Sequence, residues 1–329
     1  MKRNLKIFNG ILFVLLVILI LSPIVLDDQF ILNVLIQILM YATIATAWNL
    51  LGGYAGQLSL GHALFFGIGA YTATILHINY GISPWLGMII VVAVCIILCA
   101  IIGLPTFRLK GPFFTLATIA FAEVARHLAL YWRELTNGSV GINIKFDPSF
   151  TNMIFQKFDT YYLLILLLLV VTLFITYCID RNKMGYYLKA IREDEDAAKT
   201  LGINATKYKM YALILSASIT GIVGVFYAQF ILFFEPESVF NINISAQVAL
   251  IAIVGGMGTV FGPLLGAFIV IPLNELLRAT FPEIHGMNYF IYGVLLIVII
   301  IITPNGLYPI LKKLWLRFFV KDSSKGAGN

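Results

Sequence analysis

Residues 190–202 read Ala-Ile-Arg-Glu-Asp-Glu-Asp-Ala-Ala-Lys-Thr-Leu-Gly. They form the core of a charged stretch, Asp180 to Lys209, set between long apolar runs. Asp194, Glu195 and Asp196 precede the small residues Ala197 and Ala198; Lys199 follows, and Gly202 closes the run. Acids at the start, a base near the end and glycine just past it predict a helix of about two turns. A helix this short is marginal alone and becomes stable by docking. Its small residues permit close approach and its charges set register. A membrane protein that only conducts or binds does not need such a protrusion; one driven by a soluble partner does.

The rest of the chain is membrane. Of its 329 residues, 60% are hydrophobic and 12% charged, and the mean hydropathy is +0.94. That charged fraction is about half the usual one. A span needs roughly 20 apolar residues. The clearest runs are 10–26, 30–51, 85–107, 161–179, 210–234 and 289–303, with weaker, glycine-broken ones at 54–78, 112–133 and 246–280. The expected fold is an all-α polytopic membrane protein with about 8–10 transmembrane helices, some of them broken or re-entrant. No linker divides it, so residues 1–329 read as one domain, with 180–209 as a cytoplasmic coupling loop.

Orientation follows the bases. Lys2, Arg3 and Lys6, then Arg108 and Lys110, then the 180–209 loop, then Lys312, Lys313, Arg317, Lys321 and Lys325 mark the inner side. Segments 27–29 and 235–246 carry acids without bases and face outward. Both termini are therefore expected in the cytoplasm, which requires an even number of crossings. The net charge of +6 sits at membrane edges, so it speaks for topology and not for nucleic acid.

Two glycine-rich regions echo one another. Gly52-Gly53-Tyr-Ala-Gly56-Gln-Leu-Ser-Leu-Gly61-His62 and Gly255-Gly256-Met-Gly258-Thr-Val-Phe-Gly262 each open on a glycine pair. Small residues at four-residue spacing mark helix contact faces in lipid, here Ser59–Ala63–Gly67 and Gly258–Gly262–Gly266. The pairs also permit unwound backbone of the kind transporters place near a pathway. Gln57, Ser59 and His62 are candidate pathway residues. Glu123 is another, read as the most buried carboxylate, with Arg126 and His127 on the same helix side. No glycine is followed by lysine, so no P-loop is present, and no metalloprotease or nucleophile-elbow motif occurs. No enzyme site, metal or cofactor is expected.

Ala197-Ala-Lys-Thr-Leu-Gly202 resembles the EAAxxxG motif of bacterial ABC importer permeases, with Asp196 in place of the glutamate. The distal Ile-x-Leu-Pro element of that motif is missing. The pattern is instead similar to the LivM-type permeases of branched-chain amino acid importers. The likeness covers roughly residues 30–310 and rests on Ala47–His62, Gly185–Gly202, Gly255–Gly266 and Thr303–Leu307. It implies a multi-pass permease of the bacterial cytoplasmic membrane. The partners it implies are a second, LivH-like permease, two ABC ATPase subunits that bind the ATP, an extracytoplasmic substrate-binding protein and membrane lipid. It also implies that Arg192, Glu193, Asp194, Asp196, Ala197, Ala198 and Gly202 couple to an ATPase. A urea or short-amide importer permease shares these motifs, and a stand-alone secondary transporter is the reading from another class.

Overall fold

The computed structural model describes residues 28–109, 111–280, 287–303 and 306–313. The predicted span 10–26, the N-terminal bases and the tail beyond Lys313 lie outside them.

Helix α1 (Gln29–Asn49) opens on Asp28, whose side chain accepts from the Phe30 N–H, and runs on through a widened turn, Leu50–Tyr54. Residues 55–61 are not helical; α2 (His62–Tyr80) follows, then α3 (Pro84–Thr106) and α4 (Pro112–Tyr131). Proline in the first turn starts both α3 and α4, where its missing N–H has no helical partner to lose. Helix α5 (Phe158–Arg181) leads into α6 (Lys183–Glu193) and α7 (Glu195–Thr200). Then come α8 (Ala205–Ile231), α9 (Ile242–Gly255), α10 (Gly262–Thr280) and α11 (Met287–Ile302).

Among the described residues six segments are long and apolar enough to cross a membrane: Gln29–Tyr54, Pro84–Thr106, Pro112–Tyr131, Phe158–Arg181, Ala205–Ile231 and Pro236–Gly255. The core is built on α1 and α8. Helix α1 packs on α5, α8, α9 and α10, and α8 on α1, α2 and α3. Trp48, Phe66, Tyr162 and Phe226 are fully enclosed there. Where α2 meets α8 the backbones nearly touch: a methyl at Gly69 would strike the Gly221 carbonyl, and one at Gly224 the Phe66 carbonyl. In lipid, where apolar burial gives helices no reason to associate, such close packing holds them together.

Several boundaries differ from the sequence reading. The weak span 54–78 divides into an unwound stretch and a helix. The 246–280 run is two helices folded back on each other. A methyl at Gly266 would meet Ile251, and one at Gly255 would meet Gly262, so the pair is an antiparallel hairpin around residues 256–261. Ser59 and Gly258 lie outside helices, in breaks, so neither small-residue stripe is a continuous helical face. The charged segment ends earlier than predicted. Asn204 caps α8 by accepting from the Lys207 N–H, and Lys207 and Lys209 are already helical.

The end bearing residues 180–209 is called the basic end below. At the opposite end Ile142–Asn143 (β1) pairs antiparallel with Phe233–Phe234 (β2). The 134–160 loop is tied down there by hydrogen bonds from Ser83 to Thr151 O and from Trp85 to Phe150 O.

Candidate functional site

At the basic end, α6 and α7 make the predicted protrusion. Asp194 breaks the helix with extended backbone, and its carboxylate accepts from the Asp196 and Ala197 N–H groups, both at 2.9 Å. That is an N-cap, and it positions the acids against the first turn of α7. Gly202, at φ +84°, ends the element. Ala198 is buried with Ile191 and Ala205 in a small cluster of its own, whereas Glu193, Asp194, Asp196 and Ala197 face outward.

Besides the Lys189–Asp180 ion pair at 2.6 Å, two side chains fasten this protrusion to the bundle. Lys209, on the first turns of α8, is 1% exposed and ion-pairs with Glu195, which also binds Lys199 at 2.9 Å. Burial works to raise the Glu195 pKa, but Lys209 and Lys199 outweigh it and hold the carboxyl below its ordinary range. The hydrogen bond to Glu195 holds Lys199 above its ordinary value. The second fastening is Arg192. Its Nη1 donates to the Gly53 carbonyl at 2.9 Å, while Nη2 stays with Glu193 at 2.9 Å.

Gly53 stands where the two glycine-rich regions meet. Asn49 joins them: its Oδ1 accepts from the Gly258 N–H at 2.8 Å and its Nδ2 donates to the Thr259 carbonyl at 2.9 Å. Gly56 and Gly258 have φ of +70° and +72°, a region open to glycine. Gly52 stacks beneath the Trp48 ring, Gly61 presses on the Thr118 carbonyl and Gly67 on the Phe240 ring. Gly255 and Gly262 close the hairpin, and the backbone of Gly256 abuts Gly306.

From this junction residues 55–61 climb into the bundle without forming helix. Unpaired backbone groups at membrane depth cost several kcal/mol each, and side chains of three helices satisfy groups of this stretch and of the first turn of α2 that follows it. From α1, Trp48 Nε1 donates to Ser59 O at 2.7 Å. From α4, Thr115 donates to Leu58 O at 2.6 Å, and Thr118 accepts from Leu60 N at 3.2 Å. From α9, Ser245 accepts from Ala63 N at 2.8 Å. Ser59 and His62 are buried, His62 Nε2 lying 2.7 Å from Ser216 Oγ; Gln57 is half-buried.

One wall of this stretch is open. Gly56, Gln57 and Leu58 line a groove of about 400 Å³ with Gly111, Pro112, Thr115 and Leu116. Helix α4 is the least buried of the six spans. Glu123 lies farther along it, paired with Arg126 at 2.7 Å; Arg126 also reaches Glu237 at 2.6 Å, near the opposite end of the bundle. The expectation that Glu123 is the most buried carboxylate is corrected: its side chain is 36% exposed against 20% for Glu195. The reason is that α4 sits at the rim of the bundle, where Arg126 pairs with the carboxylate. The structure therefore brings Gln57, Ser59 and His62 together on one stretch and sets Glu123 apart from them.

Lys209, Trp48, Thr115, Thr118 and Ser245 carried no individual signal as site residues. Asn49 alone had a hint, as an amide at membrane depth inside the glycine-rich motif. The hydroxyls and the indole act on backbone groups of distant residues, which no local pattern encodes.

Residues 30–300 match the family described as branched-chain amino acid transport system / permease component. The chain is 31% identical over 294 residues to the high-affinity branched-chain amino acid transport system permease protein LivM of Salmonella typhimurium, covering 82% of this chain and 68% of that one. Its Escherichia coli K12 counterpart matches with the same identity and coverage. The LivH permease protein of Salmonella typhimurium is 24% identical over 298 residues, covering 81% of this chain and 90% of that one.

Proposed function

The chain belongs to the family of branched-chain amino acid transport permeases, and on that premise we propose that it is the LivM-like half of a heteromeric, ATP-driven importer. A LivH-like permease completes the membrane part, two ABC ATPases hold the ATP, one of them docking on residues 190–203, and an outside binding protein delivers leucine, isoleucine or valine. The chain itself does no bond chemistry. It offers inward- and outward-facing states whose populations its partners bias.

The observation that carries this reading is the protrusion. A capped short helix displays Asp194, Asp196 and Ala197 to the outside and is fastened to the bundle on its inner side by Glu195–Lys209, while Arg192–Gly53 fastens the helix before it. An element exposed on one face and anchored on the other is built to pass force inward. The open groove at Gly56–Leu58 supports the rest. Irregular backbone is tolerated at membrane depth only against protein or water, so we place the second permease and the pathway between the halves along α4 and this groove.

Purification of the tagged chain from its native membrane tests the assembly: ATPase subunits and a second permease should accompany it, and a chain that purifies alone would overturn the reading. Uptake competition among leucine, isoleucine, valine and urea then tests the substrate. Inhibition by urea and not by the amino acids would move the assignment to the amide importers.

A further inference from the structure

Resting on the importer reading above, we infer that Arg192 is a positioning residue that ties the coupling segment to both glycine breaks, and is not a contact for the ATPase. Arg192 sits at the last turn of α6, beside the acids that face outward, and although its side chain is 37% exposed, its Nη1 reaches inward. There it donates to the carbonyl of Gly53, in the widened turn that leads into the unwound stretch. Its path is carved by missing side chains. A methyl at Gly56 would lie 2.7 Å from Arg192 Cγ, and one at Gly258 would lie 2.6 Å from Nη1. Gly56 belongs to the first break and Gly258 to the second, and a methyl at Gly53 would stand 2.5 Å from the Gly258 nitrogen. These glycines therefore do more than break helices. They line a slot for one arginine, and Asn49 holds the two walls of that slot together.

The mechanical consequence follows from the chain order. Lys209 links α7 to the long helix α8, a stiff rod. Arg192 links α6 to Gly53 in the widened turn Leu50–Tyr54, just ahead of the non-helical residues 55–61. A shift of α6 acts through Nη1 on the Gly53 carbonyl, hence on residues 55–61 and on the 256–261 turn. The second amine, on Glu193, keeps the guanidinium plane fixed while Nη1 acts. The long reach and the two separated amines are specific to arginine; a lysine ammonium can replace one bond and not both.

The test uses the whole importer in nanodiscs, with a Leu58→Cys probe, since Leu58 is exposed on the groove. Maleimide labelling is measured without nucleotide and with vanadate-trapped nucleotide, alongside solute uptake per ATP hydrolysed. Arg192→Ala should leave the ATPases co-purifying, abolish the nucleotide dependence of labelling, and cut uptake per ATP by about tenfold, as loss of a hydrogen bond to a charged group does. Arg192→Lys should restore part of both. Should Arg192→Ala fail to insert, Arg192→Lys and Arg192→Gln carry the comparison, with Lys expected to exceed Gln in coupling. Wild-type labelling kinetics and coupling in the Ala or Gln variant would overturn the inference. Loss of ATPase co-purification in these variants, restored by none of them, would make Arg192 a docking contact and also overturn it. A parent protein that never associates with ATPases would instead refute the importer reading itself.

Discussion

Removing the Glu195 carboxylate is the sharpest perturbation the geometry offers. Lys209 is 1% exposed, so its ammonium has Glu195 in place of water. Deleting one member of a buried pair strands the other charge and costs about 3–5 kcal/mol. Glu195 keeps 20% of its surface in solvent, which places the expected cost of Glu195→Ala at the lower end, about 3 kcal/mol. The lost energy is local, because the pair joins α7 to α8 and to nothing else. Hydrogen exchange of the importer in nanodiscs reads it directly. Amides of residues 196–203 should open roughly a hundredfold more often, while amides in the middle of α8 hold their rates. Glu195→Gln combined with Lys209→Met replaces the pair by neutral groups of similar volume and should recover protection to within about 1 kcal/mol of the parent. A double variant as damaged as Glu195→Ala, or unchanged exchange in the single variant, would refute the reasoning.

Three further outcomes are expected. The Glu195 carboxyl is held below its ordinary range, so the stability it contributes is complete above pH about 4.5 and is lost as pH falls through its lower folded value; Lys199, held above its ordinary value, loses its share only as pH rises beyond about 10.5. Protection factors of residues 195–200, corrected for intrinsic exchange, should therefore be flat from about pH 6 to 9, and a midpoint near neutrality would contradict the pairing. Asn49→Ala removes hydrogen bonds to Gly258 and Thr259 and should lower stability by about 2 kcal/mol, measured by thermal unfolding in detergent; an unchanged midpoint would mean that the two breaks are not joined there. Gly69→Ala drives a methyl into the Gly221 carbonyl and should abolish folded protein by size-exclusion profile, whereas Gly293→Ala meets nothing within 4 Å and should be neutral or slightly stabilising; equal behaviour of the two would argue against the tight α2–α8 seam.

The class of the molecule, most of its spans and its capped, charged protrusion were legible in the sequence because they depend on neighbours along the chain. Apolar length marks a span. Asp194 followed by small residues and Gly202 marks a capped short helix, since a cap bonds to amides two and three residues on. Glycine pairs marked both breaks, because local backbone freedom is a property of the residue itself. What lay beyond reach was any relation across the chain. Glu195, Lys209 and Arg192 all read as surface charges until folding put Lys209 out of water and Arg192 onto Gly53. Glu123 read as the buried carboxylate because its neighbours are apolar, and only the packing of α4 at the rim of the bundle left it 36% exposed.

The amino-acid order alone determined that this chain crosses a membrane repeatedly and presents a charged, capped element between two spans. It did so because hydropathy and capping act over a few residues. Tertiary structure alone decided that residues 55–61 remain unwound and that both glycine breaks share one arginine. Those outcomes require donors and acceptors from α1, α4 and α6 to reach neighbouring backbone groups of one short stretch, and only the assembled bundle brings them there.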